Sequence, residues 1–312
     1  MKVRYLLVLA PLLLAITGMP LTHHFGRTPG SVEPPVVRVT YIGTATMLLE
    51  IGHERPFRIL TDPAFDPAGK TYRFALGTSS RKTEGPALSA TEIGPVDLVL
   101  LSHDEHADNL DVEGRAFLSQ ARNVLTTPSG AGRLSSVDRL TGVVGLEPWQ
   151  SREFETGEGW TLRVTAVPAR HGQWFLSESL PFIGRLSGDA TGFVLQWAGQ
   201  TQGSLYFSGD TVYFDELLEI PRRTGSPIAV ALLNLGGVRF LQSGPLRYTL
   251  NGEEAVKLTQ GMNLLSVVPM HFDGWTHFKE SLNESLKAFE SADLLGRIRL
   301  VPRGRKVELK GF

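Results

Sequence analysis

Two histidines and four acids stand within residues 101–111, "LSHDEHADNLD". His103 and His106 lie three apart, as do Glu105 and Asp108, so one helical turn could gather several of these groups. Carboxylates this close repel one another unless a cation neutralises them, and imidazole with carboxylate is a ligand set that divalent metals accept. The chain contains no cysteine, which excludes disulfides, a thiolate nucleophile and a Cys-based zinc knuckle. Any transition-metal site must therefore be built from His, Asp and Glu. The scarce histidines recur at comparable places. "VDLVLLS" ends at His103, "WTLRVTAVPAR" at His171 and "NLLSVVPM" at His271, while "SLYFSG" ends at Asp210. If these runs are strands that share sheets, their ends bring imidazoles and carboxylates from remote segments to one edge, where a rigid scaffold positions loops for chemistry. Taken singly, each histidine reads as a strand cap bonded to a nearby carbonyl. Their joint placement favours a metal site.

The elements that must position these groups follow from composition and pattern. "VVRVTYI", "TMLLEI", "FRILTD", "DLVLLS", "TLRVTAV", "TGFVLQW", "SLYFSGD" and "IAVALLNL" are strand-length runs rich in β-branched, leucine and aromatic residues. Several are almost continuously apolar, as expected of strands covered on both faces. One helix is predicted in "TLNGEEAVKLTQGM", with Asn251 as its cap and Glu254 reaching back in a capping box. Another is predicted in "HFKESLNESLKAFESADLL", with Leu282, Leu286 and Phe289 on one face. The fold class is α+β. At 312 residues the chain can bury a large core. Lys+Arg 31 against Asp+Glu 32 leaves a formal charge of -1, so no global field draws the protein to nucleic acid, which is not expected as a partner.

The N-terminus has its own signature. Lys2 and Arg4 precede an apolar run from Tyr5 to Met19, and this predicts an export signal or membrane anchor over residues 1–20. A linker over 21–35 follows, in which His23 and His24 read as parts of a polar tail. Residues 36–312 form the expected catalytic domain. The expected location is periplasmic or membrane-anchored, with membrane association through the N-terminal segment.

"TYIGTATMLLEI", "RILTDPAF", "VLLSHDEHADNLD", "YFSGDTVYF" and "VVPMHFDGWTHF" resemble, in that order, the metallo-β-lactamase superfamily. The nearest branch by resemblance contains N-acyl-phosphatidylethanolamine phospholipase D and ascorbate-6-phosphate lactonase. The resemblance implies a four-layer αβ/βα sandwich with a metal site, usually dinuclear, at one edge. The usual signature H-x-H-x-D-H is altered here: one residue is inserted between His103 and His106, and Asn109 stands where the last histidine would be. With the insertion absorbed as a bulge, the resemblance places His103, His106 and His171 at one metal and Asp108 with His271 at the other, bridged by Asp210. One or two divalent ions are implied, with Zn²⁺ the first candidate and Mn²⁺ or Fe²⁺ also compatible. Asp104 or Asn109 would complete the second site, while Asp62 and Asp111 would support from behind, Asp111 otherwise capping the following helix.

The activity so implied is hydrolysis by a metal-bound hydroxide, acting on a phosphodiester, a phospholipid among them, or on a lactone or related ester. The partner is a small-molecule or lipid substrate. Asp108 is expected to ligate and to orient the attacking water, and His277 to stabilise the oxyanion or protonate the leaving group. Two other readings stand beside it: a β-lactamase, and a binding or assembly protein whose altered motif has lost catalysis. Trp174, Phe175, Leu180, Pro181 and Phe182, close to His171, read as an apolar lid or an ordinary packed loop. The basic tail "RIRLVPRGRKVELKGF" reads as a charged edge strand or an anionic-headgroup site.

Overall fold

Neighbouring residues of the apolar runs go to different cores. Val39 and Tyr41 of the first strand enter one cluster and Ile42 enters another; Leu49 and Leu48 of the next strand divide in the same way. This alternation is the period of two expected of a strand covered on both faces. In the computed structural model, which describes residues 34–74, 77–172, 189–240 and 246–312, fifteen strands are seen. The first part of the chain supplies β1 (Val37–Gly43), β2 (Thr46–Ile51), β3 (Phe57–Thr61), the small hairpin β4 (Thr71–Arg73) and β5 (Ser79–Arg81), then β6 (Val96–Leu100), β7 (Ala121–Thr126) and β8 (Val143–Gly145). The second part supplies β9 (Ser151–Glu155), β10 (Thr161–Pro168), β11 (Thr191–Trp197), β12 (Ser204–Phe207), β13 (Ile228–Asn234), β14 (Ser266–Met270) and β15 (Lys306–Leu309).

The strands form a seven-stranded sheet of order β15-β1-β2-β3-β6-β7-β8 and a six-stranded sheet of order β14-β13-β12-β11-β10-β9. One apolar cluster draws Met47, Leu98 and Leu100 from the first sheet and Leu162, Phe193 and Met270 from the second, so the sheets face each other across it. A second cluster packs the outer face of the first sheet against α1 (Ala90–Ile93), α2 (Val112–Phe117) and α3 (Pro128–Ser136) through Ile93, Phe117 and Leu134. A third packs the outer face of the second sheet against α4 (Ile220–Thr224), α5 (Gly252–Gly261) and α6 (Leu282–Ser291) through Ile220, Leu258 and Phe289. Three apolar layers between four layers of structure make the expected αβ/βα sandwich.

Strand direction then gathers the chemistry. β3, β6, β7 and β8 run parallel. β12, β13 and β14 run parallel too, and β10 points the same way because both β10 and β12 are antiparallel to β11. The C-terminal ends of these strands therefore share one edge within each sheet. Asp62 and His103 follow β3 and β6; His171, Asp210 and His271 follow β10, β12 and β14.

Some local details differ from the sequence reading. Asn251 caps α5 by accepting from the Glu254 amide, but Glu254 does not close a capping box, because its carboxylate is taken by Arg247. A capping box is present one helix later, at Ser281 and Glu284 of α6. The tail contributes β15, which pairs antiparallel with β1 at the margin of the first sheet. The N-terminal segment with His23 and His24, and the run containing Trp174, Phe175, Leu180, Pro181 and Phe182, lie outside the described residues.

Candidate metal centre

Beyond β6 the chain has left its ladder, and side chains take over the backbone's work. Asp62 is the anchor. Buried completely, it accepts from the Ser102 amide at 2.6 Å, the Ser102 hydroxyl at 2.7 Å and the Asn109 amide Nδ2 at 2.9 Å. Both ends of the 102–109 loop are thus tied to one carboxylate. Burial, partly offset by these donors, pushes Asp62 up to about 7. Gly209 brings the end of β12 against this loop: its φ is +55°, and a Cβ there would lie 2.6 Å from the Ser102 Cβ. Two site residues themselves hold left-handed backbone, Asp62 at φ 30° and His271 at φ 58°, a cost of roughly 1–3 kcal/mol each that clusters at functional sites.

The first donor group is formed by His103, His106 and His171. With Asp62 ionised, the only proton on the Ser102 hydroxyl goes to that carboxylate, so the hydroxyl accepts from His103 Nδ1 at 2.9 Å. His171 Nδ1 faces the Tyr248 carbonyl at 3.0 Å, and a carbonyl can only accept. With Asp62 in that form, both rings carry their proton on Nδ1 and present an Nε2 lone pair. These lone pairs meet at His106 Nδ1, 3.0 Å from His103 Nε2 and 2.9 Å from His171 Nε2. One nitrogen can donate to at most one of them, whereas a cation accepts all three lone pairs. Burial, then the neighbouring His171 and His106, hold His103 well below the usual histidine range; burial and His171 push His106 down to about 4. Burial also lowers His171. The group is neutral imidazole at neutral pH, the form that binds metal.

The second group is Asp108, Asp210 and His271, all buried. His271 Nε2 lies 3.4 Å from Asp108 Oδ2 and 3.7 Å from Asp210 Oδ1, close enough for electrostatic attraction but too far for a good hydrogen bond. Asn234 donates to Asp210 Oδ1 at 2.7 Å. Asp108 Oδ1, Asp210 Oδ2 and His271 Nε2 are buried without a hydrogen-bond partner. Orphaned carboxylate oxygens of this kind are costly, and a divalent cation is what they fit, with His271 Nε2 joining them once it has lost its proton. Burial would lower His271, but Asp210 and Asp108 outweigh it and raise the ring to about 9. Burial would likewise raise Asp108, but His277 and His271 hold it well below the usual carboxylate range. Asp210 stands between the groups, its Oδ2 3.9 Å from His171 Nδ1.

The remaining sequence candidates fall elsewhere. His277 directs Nε2 at Asp108 Oδ2, 3.0 Å away, and Nδ1 at the Ser80 hydroxyl, 2.6 Å away. Asp104 joins neither group: Arg133 grips both its oxygens at 2.6–3.2 Å, so it neither completes a metal site nor orients an imidazole. Asn109 gives its amide nitrogen to Asp62 rather than facing the second group with it. Asp111 caps α2 at the Gly114 amide and pairs with buried Lys82 at 2.8 Å. The sequence reading missed Ser102, Asn234, Ser80 and the Tyr248 carbonyl. Asn234 carried a usable signal, a polar residue closing an apolar strand as His271 does; Ser80 carried none.

The family model described as the beta-lactamase superfamily domain matches residues 57–272. The chain belongs to the metallo-β-lactamase superfamily. A metal-dependent hydrolase from Methanoculleus marisnigri is 28% identical over 213 residues, 68% of this chain and 82% of that protein. Among solved structures, a possible metal-dependent hydrolase from Veillonella parvula has a TM-score of 0.72 at 18% identity, covering 88% of this chain and 100% of that one. The isothiocyanate hydrolase from Delia radicum gut bacteria has a TM-score of 0.69 at 18% identity, with the same coverage. Superfamily membership and the two donor groups together make this chain a metal-dependent hydrolase of the metallo-β-lactamase fold.

Proposed function

We propose that the protein hydrolyses an ester-type bond, either a phosphodiester, as in a phospholipid, or a lactone or carboxylic ester, with divalent cations held by both donor groups. The observation that carries this reading is the adjacency of three imidazole lone pairs to two buried carboxylates whose free oxygens lack partners. Zn²⁺ is the first candidate, since borderline ions take nitrogen and oxygen together. The resemblance to the phospholipase and lactonase branch supports the substrate types.

In this reading His103, His106 and His171 would hold one ion and Asp108 with His271 the other, with Asp210 between the two groups. A bound ion would polarise the scissile carbonyl or phosphoryl oxygen and lower the pKa of water towards about 7. Asp108 would ligate through its unpartnered Oδ1, from which it also orients the attacking water and accepts its proton, while Oδ2 is held by His277. His277 is therefore a positioning residue for Asp108, itself oriented by Ser80 on β5. Elemental analysis and chelation test the reading on a panel of phosphodiesters, lactones, esters and β-lactams. Hydrolysis should vanish with the metal and return on adding Zn²⁺; turnover by fully metal-free protein refutes it.

We also propose export to the periplasm, with the N-terminal segment as signal or anchor, on the pattern of Lys2, Arg4 and the apolar run after them. Among the described residues no helix is long and apolar enough to cross a membrane. Fractionation with N-terminal sequencing tests this; a cytosolic product beginning at Met1 contradicts it.

A further inference from the structure

Three partly buried aromatic rings surround the donor groups. Phe74, at the end of β4, meets His106 edge-on at 5.6 Å and His277 at 5.8 Å. Phe240 stacks on His277 at 5.3 Å and 30° and touches Phe74 at 5.4 Å. Tyr248 lies 5.5 Å from His171 and 5.9 Å from Phe240. The rings come from two remote segments, and each abuts an imidazole of the site. The backbone is bonded at two of them: Phe74 N donates to the Thr78 carbonyl at 2.9 Å and Tyr248 N to the Val238 carbonyl at 3.0 Å, with Val238 N on the Thr249 hydroxyl at 3.0 Å.

We infer that Phe74, Phe240 and Tyr248 form an apolar collar that binds an uncharged acyl chain next to the scissile bond. This rests on the hydrolase reading above and narrows its substrate class. Each of the three residues keeps part of its surface exposed, so apolar surface beside the donor groups is offered to a ligand; burying it on binding is favourable. Phe74 and Tyr248 sit on bonded backbone and Phe240 packs on both of them, which reduces the ordering cost of binding. Much of the basic character nearby is already committed: Lys82 to Asp111, Arg133 to Asp104 and Arg247 to Glu254. Arg239, exposed beside Phe240, and Arg73, exposed beside Phe74, are contrary features, and they make an anionic phosphodiester the competing substrate.

The test compares the Zn²⁺-loaded protein with Phe240→Ala on para-nitrophenyl acetate, butyrate and octanoate and on bis(para-nitrophenyl) phosphate, with metal content measured throughout. Binding of 1-octanol against ethanol, followed by calorimetry on the metal-free protein, reads the collar without turnover. The collar predicts kcat/KM at least about tenfold higher for octanoate than acetate, expressed mainly in KM. Phe240→Ala should collapse that ratio, and weaken octanol binding, with metal content retained. A flat acyl series, a preference for the phosphate diester, or a ratio unchanged in both Phe240→Ala and Phe74→Ala overturns the collar. If octanol binds selectively but neither these esters nor any phosphodiester, lactone or β-lactam of the wider panel turns over, the apolar site stands and the hydrolase reading falls; if octanol does not bind, the collar falls whatever the turnover.

Discussion

The two halves of the centre solve the same problem with opposite charge. The imidazole group is neutral, and its outer nitrogens are locked by Ser102 and Tyr248 so that lone pairs converge. The carboxylate group concentrates negative charge, and without a metal it holds a proton on His271 instead. One half is ready for a cation; the other must first release its proton. The difference separates affinity from proton handling: the imidazoles would fix an ion, while the carboxylates would compete with protons for theirs and could also move them.

The largest expected effect breaks the carboxylate half. Asp108→Ala should lower kcat by about 10²–10⁴, the usual cost of losing a positioned base, with an unchanged circular dichroism spectrum. Full activity in that variant would remove Asp108 from the mechanism. His277→Gln should lower kcat less, because Asp108 remains but loses its orienting partner, and both ions should stay bound; loss of an ion on that substitution would make His277 a ligand.

The pH dependence sharpens the comparison. Metal affinity of the imidazole group should be nearly flat above neutral pH, since His106 is neutral down to about 4. Affinity of the carboxylate group should rise by about tenfold per pH unit until His271 loses its proton near 9. Zn²⁺ competition titrations from pH 7 to 9 separate these slopes, and two equal slopes would contradict the contrast. The metal-free protein carries the same signature in stability. His106, depressed from 6.5 to about 4, destabilises the fold as pH falls through that window; His271, raised from 6.5 to about 9, contributes stability that is present below 6.5 and lost as pH rises to 9. Each is worth up to roughly 3 kcal/mol. Asp62, raised from 3.8 to about 7, likewise gives up stability as pH rises through that window, so the metal-free maximum should lie below pH 7 in urea titrations across the range.

Ser102→Ala tests the support of the imidazole half. It frees His103 Nδ1 and removes a donor from buried Asp62, so affinity of that group should fall about 10- to 100-fold with little change in the other. Equal weakening of both would show that the hydroxyl acts on the loop as a whole. The smallest effect is expected from Asn109→Ala, which deletes a 2.9 Å donor to Asp62 and should cost about 1–3 kcal/mol of stability. If it instead removes an ion, the amide oxygen is a ligand.

Much of this was legible in sequence for identifiable reasons. Strands buried on both faces read as continuous apolar runs, and the polar residues that end them, His103, Asp210 and His271 among them, mark the sheet edge. What escaped depended on contacts between segments far apart in the chain. Asp104 reads as a ligand because it adjoins His103, yet Arg133 from α3 claims it. Glu254 has capping-box spacing, yet Arg247 offers a full charge where the box offers an amide. Ser80 reaches His277 across 197 positions, and Phe74 packs on that ring from the same hairpin, geometry that no local spacing encodes.

The most direct test of the two-halved centre is a Zn²⁺ titration of the metal-free chain at pH 8, with bound metal counted per chain and hydrolysis followed alongside. Two equivalents are predicted, the first insensitive to pH near neutrality and the second accompanied by proton release and the appearance of full activity. Failure to bind zinc, or full activity before any zinc is added, would contradict the account.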